Sequence, residues 1–395
     1  MKAIRGLFRV LKNLLLAPLY VLSIIWPKDN NLWVFGAWMG ARYSDNAAAL
    51  FEHMQSEHSG IDIKWISKAK SLVKELRQRD IDAYYYLSFR GIYYQLRAAV
   101  AVYTHSASSE FFGHCISSST LKVNVWHGTP IKRIGADDAM SQMSISDFIL
   151  IRVFRIKLQR NDLFIASSEP AAKIYASAFN LDKGKILITG EPRSDLMLKG
   201  FEKRKYSDSS SLSIIYAPTF RNGVGSTFDF FGDFIGSLAI LEEKLRALNT
   251  VLSLRLHPVN EYSAETIAAL ESCQFIQLEQ TPELSSVVNK YDCLLTDFSS
   301  LIFDFALLDK SIYFLTLDLQ SYLTGDRQLY VNFEDFTSDY RIAGWHDLVS
   351  QLPAMTEAIR SGEAGSPGPV KDYSVAFRDG RNSDRVVKGI LQRLA

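Results

Sequence analysis

Asn124-Val-Trp-His-Gly-Thr-Pro-Ile-Lys-Arg-Ile-Gly135 reads as the end of a buried strand, a tight loop and the start of a helix. Val123 and Val125 supply the buried strand face. Thr129 suits an N-cap and Pro130 a first helical residue, an order that leaves backbone N–H groups facing outward. A histidine beside such amides, here His127, is placed to deprotonate a hydroxyl near a phosphate. A purely structural strand–helix turn would use the same residues. What separates the two readings is whether similar strand ends recur.

They do. Upstream, Leu32–Gly36, Asp62–Ile66, Ala83–Leu87 and Val100–Thr104 read as strands, with helical patterns at Asp45–Glu57 and Ala69–Arg79. Leu121–Trp126, Leu163–Ala166 and Lys185–Thr189 complete a first series. The polar stretch Lys203–Ser211 reads as a linker. A second series runs through Ser213–Ala217, Val251–Leu256, Phe275–Leu278, Cys293–Thr296 and Ile312–Thr316, and Asn382–Leu394 reads as a terminal helix. Short apolar strands separated by amphipathic helices predict α/β architecture with parallel sheets covered on both faces. Two such doubly wound domains are expected to bind a ligand at the carboxyl ends of their strands.

At 395 residues the chain exceeds one ordinary core. A net charge of +1, with Lys and Arg spread among acids, gives no footprint for nucleic acid. Three scattered cysteines, Cys115, Cys273 and Cys293, have no metal-ligand spacing and fit a reducing compartment. Near the start, Ile4, Leu7, Phe8, Leu11, Leu14 and Leu15 share one helical face, and Lys2, Arg5, Arg9 and Lys12 the other. The uncharged run Asn13–Pro27 is short for a membrane span and lacks a signal-peptide cleavage site. Residues 1–30 therefore read as an amphipathic helix lying in an anionic membrane surface. A helix packed on its own domain fits the same pattern.

Each candidate site residue falls after a strand. Tyr216-Ala-Pro-Thr-Phe-Arg-Asn222 offers Pro218, Thr219 and Arg221, and Leu254-Arg-Leu-His-Pro258 offers Arg255, Leu256 and His257. Thr296-Asp-Phe-Ser-Ser300 brings Asp297, Ser299 and Ser300 to a helix start, where hydroxyls, first-turn amides and the helix dipole favour a phosphate. Asp304, one turn on, suits a sugar hydroxyl. Gly190-Glu-Pro-Arg-Ser-Asp195 offers Arg193 as a phosphate clamp. His53, His58 and His346 read as solvated; His105 and His114 flank Ser106–Gly113 near a strand end and read as structural, with lining the cleft as the alternative. The absence of a Walker loop, a dinucleotide Gly-x-Gly-x-x-Gly and a Gly-x-Ser-x-Gly argues against an NTPase, a dehydrogenase and an α/β-hydrolase.

Taken together, the motifs resemble the CDP-glycerol glycerophosphotransferase family, the teichoic acid and capsule polyol-phosphate primases and polymerases. Trp33-Val-Phe-Gly36 with Ser44-Asp45-Asn46, Trp126-His-Gly-Thr-Pro130, Gly190-Glu-Pro-Arg193 with Asp195, and Tyr216-Ala-Pro-Thr219 carry the likeness. Arg255-Leu-His-Pro258, Thr296-Asp-Phe-Ser-Ser300, Phe303-Asp-Phe-Ala306 and Asp379-Gly-Arg-Asn-Ser383 follow in order. Glu191 stands where an aromatic residue is common, Phe220 and Phe298 replace Trp and Tyr, and Gly325–Tyr330 matches only loosely.

The resemblance implies a GT-B fold, two Rossmann-like domains facing a cleft, with residues 31–202 carrying the base, 212–378 the donor site and 379–395 a closing helix. It implies His127 as general base. The donor CDP-glycerol or CDP-ribitol would be held by Gly128, Thr129, Pro130 and Ile131, by Arg193, Pro218, Thr219, Arg255 and His257, and by Ser299, Ser300 and Asp304. Glycerol phosphate or ribitol phosphate would pass to a polyol-phosphate or lipid-linked saccharide acceptor at the cytoplasmic face of the membrane, releasing CMP. No cofactor and no metal is required by this arrangement, and an oligomer stays open. A GT-B glycosyltransferase using a nucleotide sugar is the alternative.

Overall fold

The computed structural model describes residues 15–138, 161–207, 210–219, 221, 229–255, 263–281, 284–325 and 328–395. The chain divides into two compact units. One comprises Met1–Gly128, Gly135–Leu196 and Asp379–Ala395; the other comprises Thr129–Ile134 and Met197–Arg378.

The first unit holds seven strands: β1 (Asp29–Phe35), β2 (Asp62–Ser67), β3 (Ala83–Tyr85), β4 (Ala98–Tyr103), β5 (Leu121–Asn124), β6 (Leu163–Ala166) and β7 (Ile186–Ile188), in the order β3-β2-β1-β4-β5-β6-β7. The second holds β8 (Leu212–Tyr216), β9 (Thr250–Leu254), β10 (Ile276–Leu278), β11 (Cys293–Thr296), β12 (Ser311–Leu315) and β13 (Arg341–Ile342), in the order β10-β9-β8-β11-β12-β13. Within each unit the paired strands run parallel, so their carboxyl ends share one edge.

Composition explains the strands. β4 is buried along its whole length, and Trp33, Val34 and Phe35 of β1 are fully enclosed, as strands covered on both faces must be. Trp33, Phe35, Phe51 and Trp65 anchor one core; Tyr216, Leu295 and Trp345 anchor another in the second unit. The terminal helix Asn382–Leu394 returns to the first unit and packs Val386, Val387 and Ile390 into its core.

One expectation is corrected here. No helix begins at Thr129–Pro130. Residues 129–134 run extended instead, with Arg133 N–H donating to Gln328 O at 2.8 Å and Tyr330 N–H to Ile131 O at 2.9 Å. An antiparallel bridge between Lys132 and Leu329 lies between these bonds. The donors that a helix would have left unpaired are satisfied by a segment remote in sequence. Residues 328–330, within the stretch loosely matched to the family pattern, supply that partner.

Of the expected amphipathic segment 1–30, residues 1–14, which carry Lys2, Arg5, Arg9 and Lys12, lie outside the described residues. Residues 15–25 are helical and attach to the first unit through the Ser117 hydroxyl, which donates to Ser23 O at 2.8 Å. Leu15, Val21 and Ile25 are exposed. Among the described residues, no helix is long and apolar enough to cross a membrane.

Candidate active site

In the first unit the loops after β1, β4, β5 and β7 converge on His127. Asn46, fully buried, bolts two of them together: its amide donates to Val125 O at 2.9 Å, and its oxygen accepts from Arg193 N–H at 3.2 Å. Asn124 does the same locally, donating to His105 O at 3.0 Å and accepting from Trp126 N–H at 2.9 Å. Backbone strain collects here. Trp38, Asp45 and Trp126 have φ of 48°, 58° and 51°, conformations that cost a non-glycine residue roughly 1–3 kcal/mol.

His127 lies in a stack of rings. Its centroid is 4.3 Å from that of His105, nearly parallel at 12°, and 4.2 Å from that of Trp126. Trp38 covers it at 5.6 Å. The Nδ1 atom is 3.3 Å from Thr104 O. A carbonyl only accepts, so Nδ1 carries the proton and Nε2 keeps a lone pair. Burial, then the charge of His105 and that of Arg193, pull the His127 pKa down to about 3, against the bond to Thr104 O. The ring is therefore a neutral imidazole at neutral pH, in the protonation state and tautomer that a base requires.

His105 is oriented by a buried carboxylate. Glu110 accepts from His105 N–H at 2.9 Å and from Thr104 N–H at 3.0 Å, and lies 3.3 Å from His105 Nδ1. Burial pushes the Glu110 carboxyl up, opposed by the bonds from His105 and Thr104. In the sequence His105 reads as structural, with a place in the cleft as the alternative. Its one signal is position, just after β4 and next in the sheet to β5, the strand that leads to His127.

Arg193 is held by carboxylates: Nε donates to Glu191 at 2.9 Å, and Asp45 lies 3.5 Å from its other end. Trp38 Nε1 donates to the same Asp45. Gly190, at φ +76, permits this turn; a Cβ there would sit 2.2 Å from Asn382 Oδ1. Asp195 caps the terminal helix, accepting from Asn382 N–H at 2.9 Å and Ser383 N–H at 2.7 Å.

In the second unit, the strand-end residues organise around Arg221. Its guanidinium donates to Asp318 Oδ2, Asp297 Oδ2 and Asp318 Oδ1, each at 2.7 Å, and to Thr219 O. With four of its five N–H donors so committed, Arg221 orders the loop. Burial alone would lower its pKa, but Asp318 and Asp297 raise it instead. Asp297 also accepts from Thr219 N–H at 2.8 Å. Tyr322 lies under the guanidinium at 4.7 Å and stacks on Phe298 at 3.9 Å.

The remaining expected residues divide. Thr219 Oγ1 is buried with no hydrogen-bond partner among the described residues, an acceptor and donor in reserve. Ser299 Oγ accepts from Leu301 N–H at 3.3 Å, which is plain capping, whereas Ser300 is exposed and caps nothing. Arg255 lies beyond β9 with one nitrogen 3.2 Å from Glu279 O. Pro218 and Asp304 are buried, as are Thr129, Pro130 and Ile131; Ile131 packs beside Phe298 and Tyr322 as core. Gly128 follows His127 with φ +124, and Tyr175 OH reaches its carbonyl. Leu256 and His257 lie outside the described residues. A cavity of about 600 Å³ opens at the amino-terminal edge of the second sheet, but there Lys203 and Arg204 already pair with Asp309 and Asp292.

Residues 19–392 match the family model described as CDP-Glycerol:Poly(glycerophosphate) glycerophosphotransferase. The chain belongs to this family of transferases. It is 25% identical over 386 residues to the teichoic acid glycerol-phosphate transferase of Staphylococcus aureus, covering 92% of this chain and 94% of that protein. To the teichoic acid ribitol-phosphate primase of Bacillus spizizenii it is 25% identical over 401 residues, covering 96% of each. It spans only 44% of the poly(glycerol phosphate) polymerase of Staphylococcus epidermidis, at 27% identity over 78% of this chain. The wall teichoic acid polymerase TagF shares its fold, with a TM-score of 0.70 and 21% identity over 99% of this chain and 98% of that one.

Proposed function

We propose that the protein transfers a polyol phosphate, glycerol phosphate in the first instance, from a CDP-alditol to a hydroxyl of a polyol-phosphate or lipid-linked acceptor, releasing CMP. The observation that carries this reading is His127, a neutral imidazole whose Nδ1 proton is fixed by Thr104 O, within the Trp126–Pro130 motif of a chain that spans the family model. Relatives named for glycerol-phosphate and ribitol-phosphate transfer support the donor class.

In the proposed reaction the acceptor hydroxyl attacks the β-phosphorus of the donor, the bond to the α-phosphate oxygen breaks, and CMP leaves. His127 Nε2 takes the hydroxyl proton, a contribution of typically 10²–10⁴-fold. The free enzyme's low pKa suits the resting state; an arriving diphosphate raises it, strengthening the base as its substrate binds. Arg193, Arg255, His257, Thr219 and Ser300 are assigned to the phosphoryl oxygens, where charge is spread in the transition state. Arg221 and Asp297 hold the loop that presents Thr219.

The basic, amphipathic pattern of the first residues and the exposed Leu15, Val21 and Ile25 support work at the cytoplasmic membrane face. Co-sedimentation with anionic vesicles, lost when Lys2, Arg5, Arg9 and Lys12 become Gln, tests that placement.

For the chemistry, CMP is measured from CDP-glycerol and CDP-ribitol in the presence of a polyol-phosphate acceptor. Activity is expected with one of them. Release equal to that of a His127→Ala variant, or UDP formed from a UDP-sugar with both CDP-alditols inert, overturns the proposal.

A further inference from the structure

His53 lies near the end of the helix Asp45–Glu57, and His58 closes that helix as its C-cap. Asp384 enters from the first turn of the terminal helix Asn382–Leu394. In the sequence both histidines read as solvated, with no ligand spacing between them. The fold gathers all three: one donor atom from each lies within 4.8 Å of the others, and His53 Nε2 is 3.0 Å from Asp384 Oδ1. The imidazole centroids are 5.6 Å apart, their planes inclined at 60°.

A second observation concerns the nitrogens themselves. The Nε2 atoms of His53 and His58 are both buried; that of His58 has no hydrogen-bond partner among the described residues, and that of His53 meets the Asp384 carboxylate without forming a well-aligned hydrogen bond. Buried polar groups in native proteins are nearly always partnered, so an orphaned imidazole nitrogen beside a second imidazole and a carboxylate calls for a cause. A cation bonded to all three would satisfy them together.

We propose that His53, His58 and Asp384 form a binding site for a divalent transition metal, zinc by the chemistry of its donors. Two imidazoles and a carboxylate are a set that zinc takes, with water as fourth ligand, whereas calcium and magnesium favour all-oxygen sites. Bonds of about 2.0–2.1 Å in a tetrahedron separate ligand atoms by roughly 3.3 Å. The His53–Asp384 contact is near that spacing already. Asp384, its side chain 56% exposed, leaves one face open to water.

The site would clip the end of one helix to the start of another. The terminal helix is the one whose first amides Asp195 caps and whose Asn382 amide donates to Glu191 O at 3.1 Å. Metal binding would thus secure the turn that carries Arg193. Its role is mechanical, and it stands whether or not the proposed reaction is correct.

The test uses the full chain, stripped with chelator, dialysed, and titrated with zinc against a chromogenic competitor. One saturable equivalent is expected, with a rise of several degrees in the thermal transition and, for cobalt in its place, the visible absorption of a four-coordinate ion. His53→Gln and His58→Gln should each weaken binding at least tenfold, and Cys273→Ser should not. Should a histidine variant fail to fold, Asp384→Asn, altering an exposed side chain, decides. Binding that is unsaturable, or unchanged in Asp384→Asn and the histidine variants, overturns the site.

Discussion

At the strand ends of the first unit an imidazole is kept neutral by enclosure among rings, whereas at those of the second a guanidinium is kept charged by two carboxylates. His127 has four rings or charges near it and one weak bond to a carbonyl. Arg221 has Asp297 and Asp318 on either side, with their oxygens at 2.7 Å. The difference teaches which group is free to react. Enclosure without an ion pair leaves a lone pair available for a proton. A buried ion pair uses its donors internally, so its removal should be felt in stability before chemistry.

The sharpest way to break that contrast is His127→Asn. CMP release should fall by about 10²–10⁴-fold while the denaturation midpoint stays near that of the parent. A comparable loss of stability would mean that His127 is structural, like Arg221.

Arg221→Ala should show the opposite pattern. Stranding Asp297 and Asp318 inside the second unit costs about 3–5 kcal/mol, read by denaturant unfolding. An unchanged midpoint would mean that the pair contributes nothing and that the guanidinium is available to ligands after all.

Gly190→Ala probes the hinge beneath Arg193. With φ at +76 and Asn382 in the path of the new Cβ, a loss of about 1–3 kcal/mol is expected, together with a raised KM for the donor. A raised KM with the midpoint unchanged would place the effect in the Arg193 turn alone.

Two smaller effects follow from the pKa of His127. His105→Phe keeps a stacked ring and removes its charge, so the acid limb of the kcat/KM profile should move to higher pH. The sign of the stability effect is also fixed. Because the folded state holds His127 at about 3 and the unfolded chain protonates it near 6.5, the unfolded state binds more protons between those values. Stability is full above about 6.5 and declines as pH falls toward 3. His127→Phe should flatten that decline, measured by melting across the range.

The alternation of strands and helices was legible from residues alone. The ranges Asp45–Glu57, Leu163–Ala166, Cys293–Thr296 and Asn382–Leu394 were read with the bounds the structure shows. Apolar period and length carry that information within a short window. The two-residue strand Arg341–Ile342 escaped because it is too short to have a period. The helix expected at Thr129 failed for a different reason: good capping chemistry lost to tertiary pairing with Gln328 and Tyr330.

Of the candidate site, the motifs placed His127 and Arg193 after strands, and parallel sheets brought them to one edge. That Arg221 would be held by Asp318, 97 residues away, was not written in any local pattern. Nor was the stack of His105 on His127, or the meeting of His53 and His58 with Asp384. Hydrophobic periodicity and turn chemistry act between near neighbours, so the sequence by itself determined the strands, the helices and the residues that end them. Burial, protonation and pairing depend on which distant segments the packed core brings within a few ångströms, and those only the tertiary structure decided.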